Sequence, residues 1–431
     1  MTSGLHHDRR KHAMTIINDI KTLLRICICS LSNLIVYLAG LFVHRDKKYI
    51  LFGAWMGEKF ADNSRFLYQY LSQNKTKYGI KKVIWVTRNE ALNRELNAQG
   101  FESYLIGTRE STYWHLKAGI HVVCNMATQS GPFPTDIDIR LSSGAKKVQL
   151  WHGVGIKAVG PTSNSSKTNL INRRSKWITD LSNTEVMRKI GLFGGWGEPK
   201  LLCTSELNKS INIMNSKMHA RNAFLSAYPR YCECTYYFKD ELDVIQRIKN
   251  YSLSILYLPT FRDKNSNYVL PTNESVFLNF LKEHNIIWIQ KPHQADVNGE
   301  IFNDHENILN LNPRFDINTI LKSVDLIVSD YSSAAFDAVF VGKPVIMYVP
   351  DIEGFMSGSN GLLMDLRDLC PSLLANSIEE MISIIQEVVD NEYYSEDRKQ
   401  TLHKMRLDFF ADKSADYDSI WTDIVNAISS K

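Results

Sequence analysis

The stretch KKVQLWHGVGIKAVG, Lys146 to Gly160, begins as a buried strand and ends as a glycine-rich turn. One histidine, His152, stands at the join between Trp151 and Gly153. Short apolar runs of the same kind lie on both sides of it. Upstream, KYILFGAW, KKVIWVT and GIHVVCN alternate with the helix-like NSRFLYQYLSQN and with NEALNRELNAQG, which Gly100 caps. Downstream, LSILYLPTFRD, IIWIQKPH, LIVSDYSS and KPVIMYVP read as strands. ESVFLNFLKEHN, INTILKSVD and AAFDAVFVG read as the helices between them, and Ile378 to Lys431 reads mainly as helix. Short apolar strands separated by amphipathic helices predict parallel α/β sheets. Thr162 to Tyr237 is polar and helical with little strand signal, so a domain boundary is placed near its end.

A chain of 431 residues is long for one core and suits two domains. At 44% hydrophobic and 22% charged, the composition is that of an ordinary globular protein. The net charge of +4 and pI near 8.5 are only mildly basic, which argues against nucleic-acid binding. The seven cysteines, Cys27, Cys29, Cys124, Cys203, Cys232, Cys234 and Cys370, are odd in number and follow no framework. Reduced thiols in a cytosolic setting are expected. Cys232 and Cys234 form a lone C-x-C pair, which does not make a zinc site.

The N-terminus is basic at HHDRRKH, His6 to His12, and leads into ICICSLSNLIVYLAGLFV, Ile26 to Val43, with HRDKK directly after. The apolar run contains Ser30, Ser32, Asn33 and Tyr37 and is at the lower limit for a membrane span. It is too long for a signal-peptide core and shows no small-residue cleavage site. A surface helix, a single span and a buried core helix all fit its length. Basic residues on both sides favour a surface or monotopic anchor on anionic lipid. A span would place the two basic clusters on opposite faces.

Ligands of open α/β sheets bind beyond the carboxyl ends of the strands. Four polar groups fall there: His152, Arg262, His293 and the run Ser329 to Ser333. Singly, each has a plain explanation as a structural histidine, a surface arginine or a helix N-cap. Four together point to a site. SDYSSAAFD, Ser329 to Asp337, is the most informative piece. Ser332 and Ser333 beside the unpaired amides of a helix start make an anion site, with phosphate the natural ligand. It matches neither a P-loop nor a GxGxxG fingerprint, so nicotinamide and flavin have no support. Arg262 adds a bidentate phosphate contact and His293 a second donor. With His152 in the facing domain, a base lies opposite a phosphate site, which suits group transfer. Gly153 and Gly155 let the backbone approach a ligand or simply serve a tight turn. Gly160 to Lys176 reads as a solvated connection, with a loop touching acceptor or membrane as the other reading.

These motifs, in this order, resemble the CDP-glycerol glycerophosphotransferases of teichoic acid and capsule synthesis. The resemblance covers nearly all of the chain after the anchor. FGAWMGEKFADNSRFLYQYL, with Asp62 and Asn63, is similar to the family's opening block, and LWHGVGIKAVG to its tryptophan-histidine-glycine motif. LLCTSELNKSI and AYPR resemble its middle. LYLPTFRD, QKPH and SDYSSAAFDAVFVGKPVIMYVPD resemble its donor-domain motifs. The resemblance implies a GT-B-like pair of Rossmann-like doubly wound domains facing a cleft, preceded by the membrane-associating helix. The domains are then 1–45 for the anchor, 46–235 for the acceptor side and 236–395 for the CDP-donor side, with helices 396–431 packing back on the first.

It also implies transfer of a polyol phosphate from a CDP-activated donor to a hydroxyl, releasing CMP. His152 maps to the general base and His293 to the second catalytic histidine near the donor phosphates. Arg262, Ser329, Asp330, Ser332 and Ser333 map to donor binding. Attack is expected at the β-phosphorus. No cofactor is implied. No metal is required, because no acidic cluster or D-x-D motif stands at a strand end; Asp337 is a local orienting or capping acid. The implied location is the cytoplasmic face of a bacterial plasma membrane, where lipid-linked acceptors lie. Tyr231 and Cys232 depart from the asparagine and aspartate usual after the family's proline-arginine pair, and no role is assigned to that corner. Glycerol phosphate is the family default. The alternatives are ribitol phosphate, a GT-B glycosyltransferase using a nucleotide sugar, and a non-catalytic scaffold of a capsule assembly complex.

Overall fold

The structure is a computed structural model that describes residues 42–125, 135–159, 162, 199–216, 218–260, 268, 270–291, 305–357, 361–413 and 415–430, with separate positions between 24 and 39. The basic run His6–His12, part of the apolar run, Arg262, His293 and all of Gly160–Lys176 except Thr162 lie outside the described residues.

Two parallel sheets organise the chain. The first is built from β1 (Asp46–Phe52), β2 (Lys82–Thr87), β3 (Ser103–Leu105), β4 (Ala118–Val123), β5 (Lys146–Gln149), β6 (Lys200–Cys203) and β7 (Ala223–Leu225). Its spatial order is β3-β2-β1-β4-β5-β6-β7. The second comprises β8 (Leu253–Leu258), β9 (Ile286–Gln290), β10 (Ile308–Asn310), β11 (Leu326–Ser329), β12 (Val345–Tyr348) and β13 (Leu374–Ala375), ordered β10-β9-β8-β11-β12-β13. Both orders reverse between their first and fourth strands, which opens a crevice at the carboxyl edge of each sheet. Helices cover the sheets, so the central strands are mostly apolar: β4, β8 and β9 are buried at every residue. This architecture is the expected α/β pair of doubly wound sheets.

The helices that matter here are α1 (Asp62–Gln73), α2 (Glu90–Ala98), α3 (Arg109–Lys117), α4 (Glu206–Ser216), α5 (Lys239–Ile248), α6 (Ser275–Glu283), α7 (Ala334–Val341), α8 (Ile378–Val389), α9 (Glu396–Phe409) and α10 (Tyr417–Ser429). Two strands, β6 and β7, fall inside the polar stretch that carries little strand signal. They are four and three residues long, too short for a periodicity to register. Their stability is tertiary: α10 packs across β5, β6 and β7 with Ile420, Trp421, Ile424 and Ile428 buried. INTILKSVD is likewise less regular than expected, with only a 3-10 turn over Ile317–Thr319. Asp316 caps that turn by accepting from the Asn318 amide.

The halves meet through buried charge and backbone. Arg65 of α1 pairs with Glu241 of α5 through both carboxylate oxygens at 2.5 and 2.7 Å, with Asp316 at 3.7 Å. The turn after His152 pairs with 361–363 as an antiparallel bridge between Lys157 and Leu362. Its flanking bonds are Ala158 N to Gly361 O at 2.9 Å and Leu363 N to Ile156 O at 2.7 Å.

Candidate active site

His152 stands just beyond β5, where Trp151 turns the chain through a left-handed φ of 64°. Its Nδ1 lies 3.4 Å from the carbonyl of Cys124, at the end of β4. The ring stacks on Trp151 and meets the edge of Trp55 at 6.0 Å. It therefore lies at the crevice between β1 and β4, and Trp55 and Trp151 restrict its motion. Burial pushes its imidazole below the ordinary value, while the nearby Asp62 carboxylate pulls the other way. The lowered value favours the neutral form of the ring.

The backbone beneath the ring is held at three successive carbonyls. Asn63 Nδ2 donates to Trp151 O at 2.9 Å, Arg230 Nη1 to His152 O at 3.0 Å, and Tyr228 OH to Gly153 O at 3.3 Å. Asn63 and Arg230 are also joined, the arginine amide donating to Asn63 Oδ1 at 3.3 Å. Six non-glycine residues have positive φ among the described residues. Asn285 and Asn391 stand at helix ends, where asparagine is common. Of the other four, Trp55, Asp62 and Trp151 neighbour the His152 ring and Met56 follows Trp55 in the chain. Asp136 anchors the adjoining backbone: its carboxylate accepts from the amides of Met56 at 2.7 Å, Cys124 at 3.1 Å and Asn125 at 2.8 Å.

The second half contributes the serine loop. Ser329 is fully buried and its hydroxyl donates to Leu258 O at 2.8 Å. Asp330 is buried and accepts from the amide and hydroxyl of Thr260, at 2.8 and 2.7 Å, and from the Ser332 amide at 3.2 Å. These two residues stitch the ends of β8 and β11 together at the switch point. Ser332 and Ser333 are half-buried. Ser333 occupies the N-cap of α7, yet its side chain makes no capping bond. It lies against Gly153 instead: a Cβ on that glycine would fall 2.6 Å from Ser333 Cβ. The His152 turn and the serine loop are thus in contact, the first from one sheet and the second from the other. Lys157 of the same turn reaches across to Thr260, Nζ to Oγ1 3.4 Å. Among the described residues, no group of three or more His, Cys, Asp or Glu is placed to hold a metal ion.

The profile of the CDP-glycerol:poly(glycerophosphate) glycerophosphotransferase family matches residues 35–417. The chain belongs to this family. It is 25% identical over 364 residues to the teichoic acid poly(glycerol phosphate) polymerase of Bacillus spizizenii, covering 80% of this chain and 84% of that one. It is 22% identical over 364 residues to the teichoic acid glycerol-phosphate transferase of Staphylococcus aureus, covering 81% and 86%. Among solved structures it is similar to the wall teichoic acid polymerase TagF, with a TM-score of 0.66 and 16% identity over 97% of this chain and 98% of that one. A TagF variant soaked with CDPG superposes equally well, with a TM-score of 0.65. The fold is the GT-B-like fold of TagF, and the chain is a CDP-glycerol glycerophosphotransferase-family enzyme.

Of the residues singled out in this transferase from sequence, His152 and Ser333 are brought near each other through the contact of Gly153 with Ser333, Ser332 stands beside Ser333, and Ser329 and Asp330 lie beneath the serine loop. Arg230, Tyr231 and Lys157 also lie at this contact, and sequence reasoning assigned them no role. AYPR carries no role of its own in the sequence, and nothing in its spacing ties it to His152, 78 residues away. Asp337 does more than orient or cap locally: it accepts from Arg230 Nη2 at 2.5 Å and from Tyr231 OH at 2.7 Å.

A cavity of about 240 Å³ also opens at the seam between the halves, lined by Lys59, Arg65, Phe238, Glu241, Arg314 and Asp316 among others.

Proposed function

We propose that this enzyme moves glycerol phosphate from CDP-glycerol to a hydroxyl of a lipid-linked or growing teichoic-acid or capsule-type acceptor, releasing CMP. The observation that carries the reading is the contact of the His152 turn with the serine loop at Gly153 and Ser333. It supports a base and a phosphate-binding loop within one substrate's reach. In this mechanism neutral His152 takes the proton of the acceptor hydroxyl. The oxygen forms a bond to the donor's β-phosphorus, and the bond from that phosphorus to the bridging oxygen breaks. CMP leaves with that oxygen and its charge. Ser332 and Ser333, with the amides at the start of α7, bind the pyrophosphate. Ser329 and Asp330 hold the loop in the shape this requires. Arg262 and His293 complete the donor side in this reading.

The enzyme works at the cytoplasmic face of the membrane, peripherally or monotopically bound. Leu24, Ile28, Leu31, Ile35, Leu38 and Phe42 are all exposed, and their spacing alternates between four and three residues. On a helix that spacing would place the apolar side chains on one face, as a membrane-surface anchor requires. No helix among the described residues is long and apolar enough to cross a membrane.

The test is CMP release from purified protein given CDP-glycerol or CDP-ribitol, a detergent-solubilised lipid acceptor, and His152→Ala alongside. Acceptor-dependent CMP from CDP-glycerol, lost in the variant, is expected. Release from CDP-ribitol alone would replace the polyol. Release from neither donor, with an acceptor proven on an active relative, would reject the reading and direct the assay to nucleotide sugars. Full activity in His152→Ala would remove the histidine from its role.

A further inference from the structure

Arg230 is 5% exposed and sits where the two halves close on His152. Its Nη1 is shared between the Asp62 carboxylate at 2.8 Å and the His152 carbonyl at 3.0 Å. Its Nη2 meets Asp337 of α7, four residues after Ser333. Tyr231 OH donates to the same oxygen of Asp337, and its ring stacks on Phe340 of that helix at 3.9 Å. One guanidinium therefore ties the start of α1, the turn carrying the base and the helix carrying the serine loop. It is flanked by two buried carboxylates, so the cluster holds one positive and two negative charges.

We propose that Arg230, with Asp62 and Asp337, is the positioning group of this active site: it sets the His152 turn against the donor-side helix and puts a net negative charge beside the imidazole. The inference rests on the reading of His152 as the base. The groups facing the ring come from every element around it: Trp55 after β1, Asp62 of α1, the Cys124 carbonyl of β4, Asp136, Trp151 and Arg230, with Asp337 acting through the arginine. Burial opposes the imidazolium. Asp62 and Asp136 favour it, and Arg230 opposes it. Asp337 offsets Arg230, so the pair of carboxylates lets the ring keep the acceptor's proton while CMP departs. The Tyr231 departure from the family pattern belongs to the same device, since its hydroxyl is the second donor to Asp337.

The experiment follows the His152 imidazole by NMR in histidine-labelled protein, with its signal identified by its loss in His152→Gln. Asp62→Asn and Asp337→Asn should each lower the titration midpoint, Asp62→Asn by on the order of one unit at the effective dielectric of such sites. Arg230→Lys keeps the charge but not the fork. It should leave the midpoint in place while kcat for CMP release falls on the order of 10–100-fold, with donor KM nearly unchanged. If Arg230→Lys does not fold, Tyr231→Phe, which keeps the stack on Phe340, should lower kcat by a smaller factor. Folded Asp62→Asn and Asp337→Asn proteins with the wild-type midpoint would overturn the electrostatic role. A wild-type kcat in Arg230→Lys, or in Tyr231→Phe where it stands in, would overturn the positioning role. If the wild type releases no CMP, the proposed function fails, but the titration still decides the charge effect.

Discussion

At the scale of single residues, the cleft is shaped by side chains placed where solvent cannot serve them. Lys59 shows the cost. It is 8% exposed, and its ammonium donates to the Pro313 carbonyl at 2.5 Å. Burial first, and then the charge of Lys291, push its amine down to about 7. In the unfolded chain it titrates near 10.5. Between these values the unfolded state binds more protons than the native one, so this residue makes stability rise with pH across the window. As pH falls through 7 the contribution is lost. Lys59→Met should flatten the rise in urea midpoint between about pH 7 and 10, and an unchanged slope would refute this. Gly153 is the other sensitive residue. Gly153→Ala would overlap Ser333 and part the two loops. CMP release should fall more than about tenfold, since a misplacement of ~1 Å can cost that much or more, and the unfolding midpoint should fall too, because the added Cβ also sits on a φ of 154° that suits glycine.

At the scale of elements, α1 is the hinge between sequence and site. Asp62 and Asn63 at its start reach Arg230 and the Trp151 carbonyl, and Arg65 in its first turn binds Glu241 in the first turn of α5. Both partners of that last pair are almost wholly buried, at 1% and 2% exposure. Glu241→Ala leaves Arg65 charged and without its fork partner, so it should destabilise the fold by about 3–5 kcal/mol in chemical denaturation. A loss below about 1 kcal/mol would mean the pair is solvated in solution. The strands and most helices of these elements were legible because buried parallel strands are apolar runs and surface helices carry a 3.6 period. β3, β6, β7, β10 and β13, two to four residues each, were not. Their pairing is decided by the neighbour strand, not by their own composition.

At the scale of the whole molecule, the chain end spans both halves. α9 packs on α7 of the second half and on α4 of the first, while α10 covers β5 to β7. Trp421 of α10 is 5% exposed, and Trp421→Ala should remove about 3–5 kcal/mol. Urea unfolding that leaves the midpoint unchanged would show that α10 is dispensable to the first sheet.

The order of apolar strands and amphipathic helices, read along the chain, determined two doubly wound sheets, because burial on both faces writes itself into local composition. The same reading determined that His152 and the serine run stand at strand ends. It could not determine which strand ends face each other. That His152 lies over the β1–β4 crevice, that Gly153 touches Ser333, and that Arg230 joins Asp62 to Asp337 across 168 and 107 residues were decided only by the tertiary structure. The physical reason is that a buried charge takes whatever partner the packed halves bring to it, and sequence spacing carries no record of that choice.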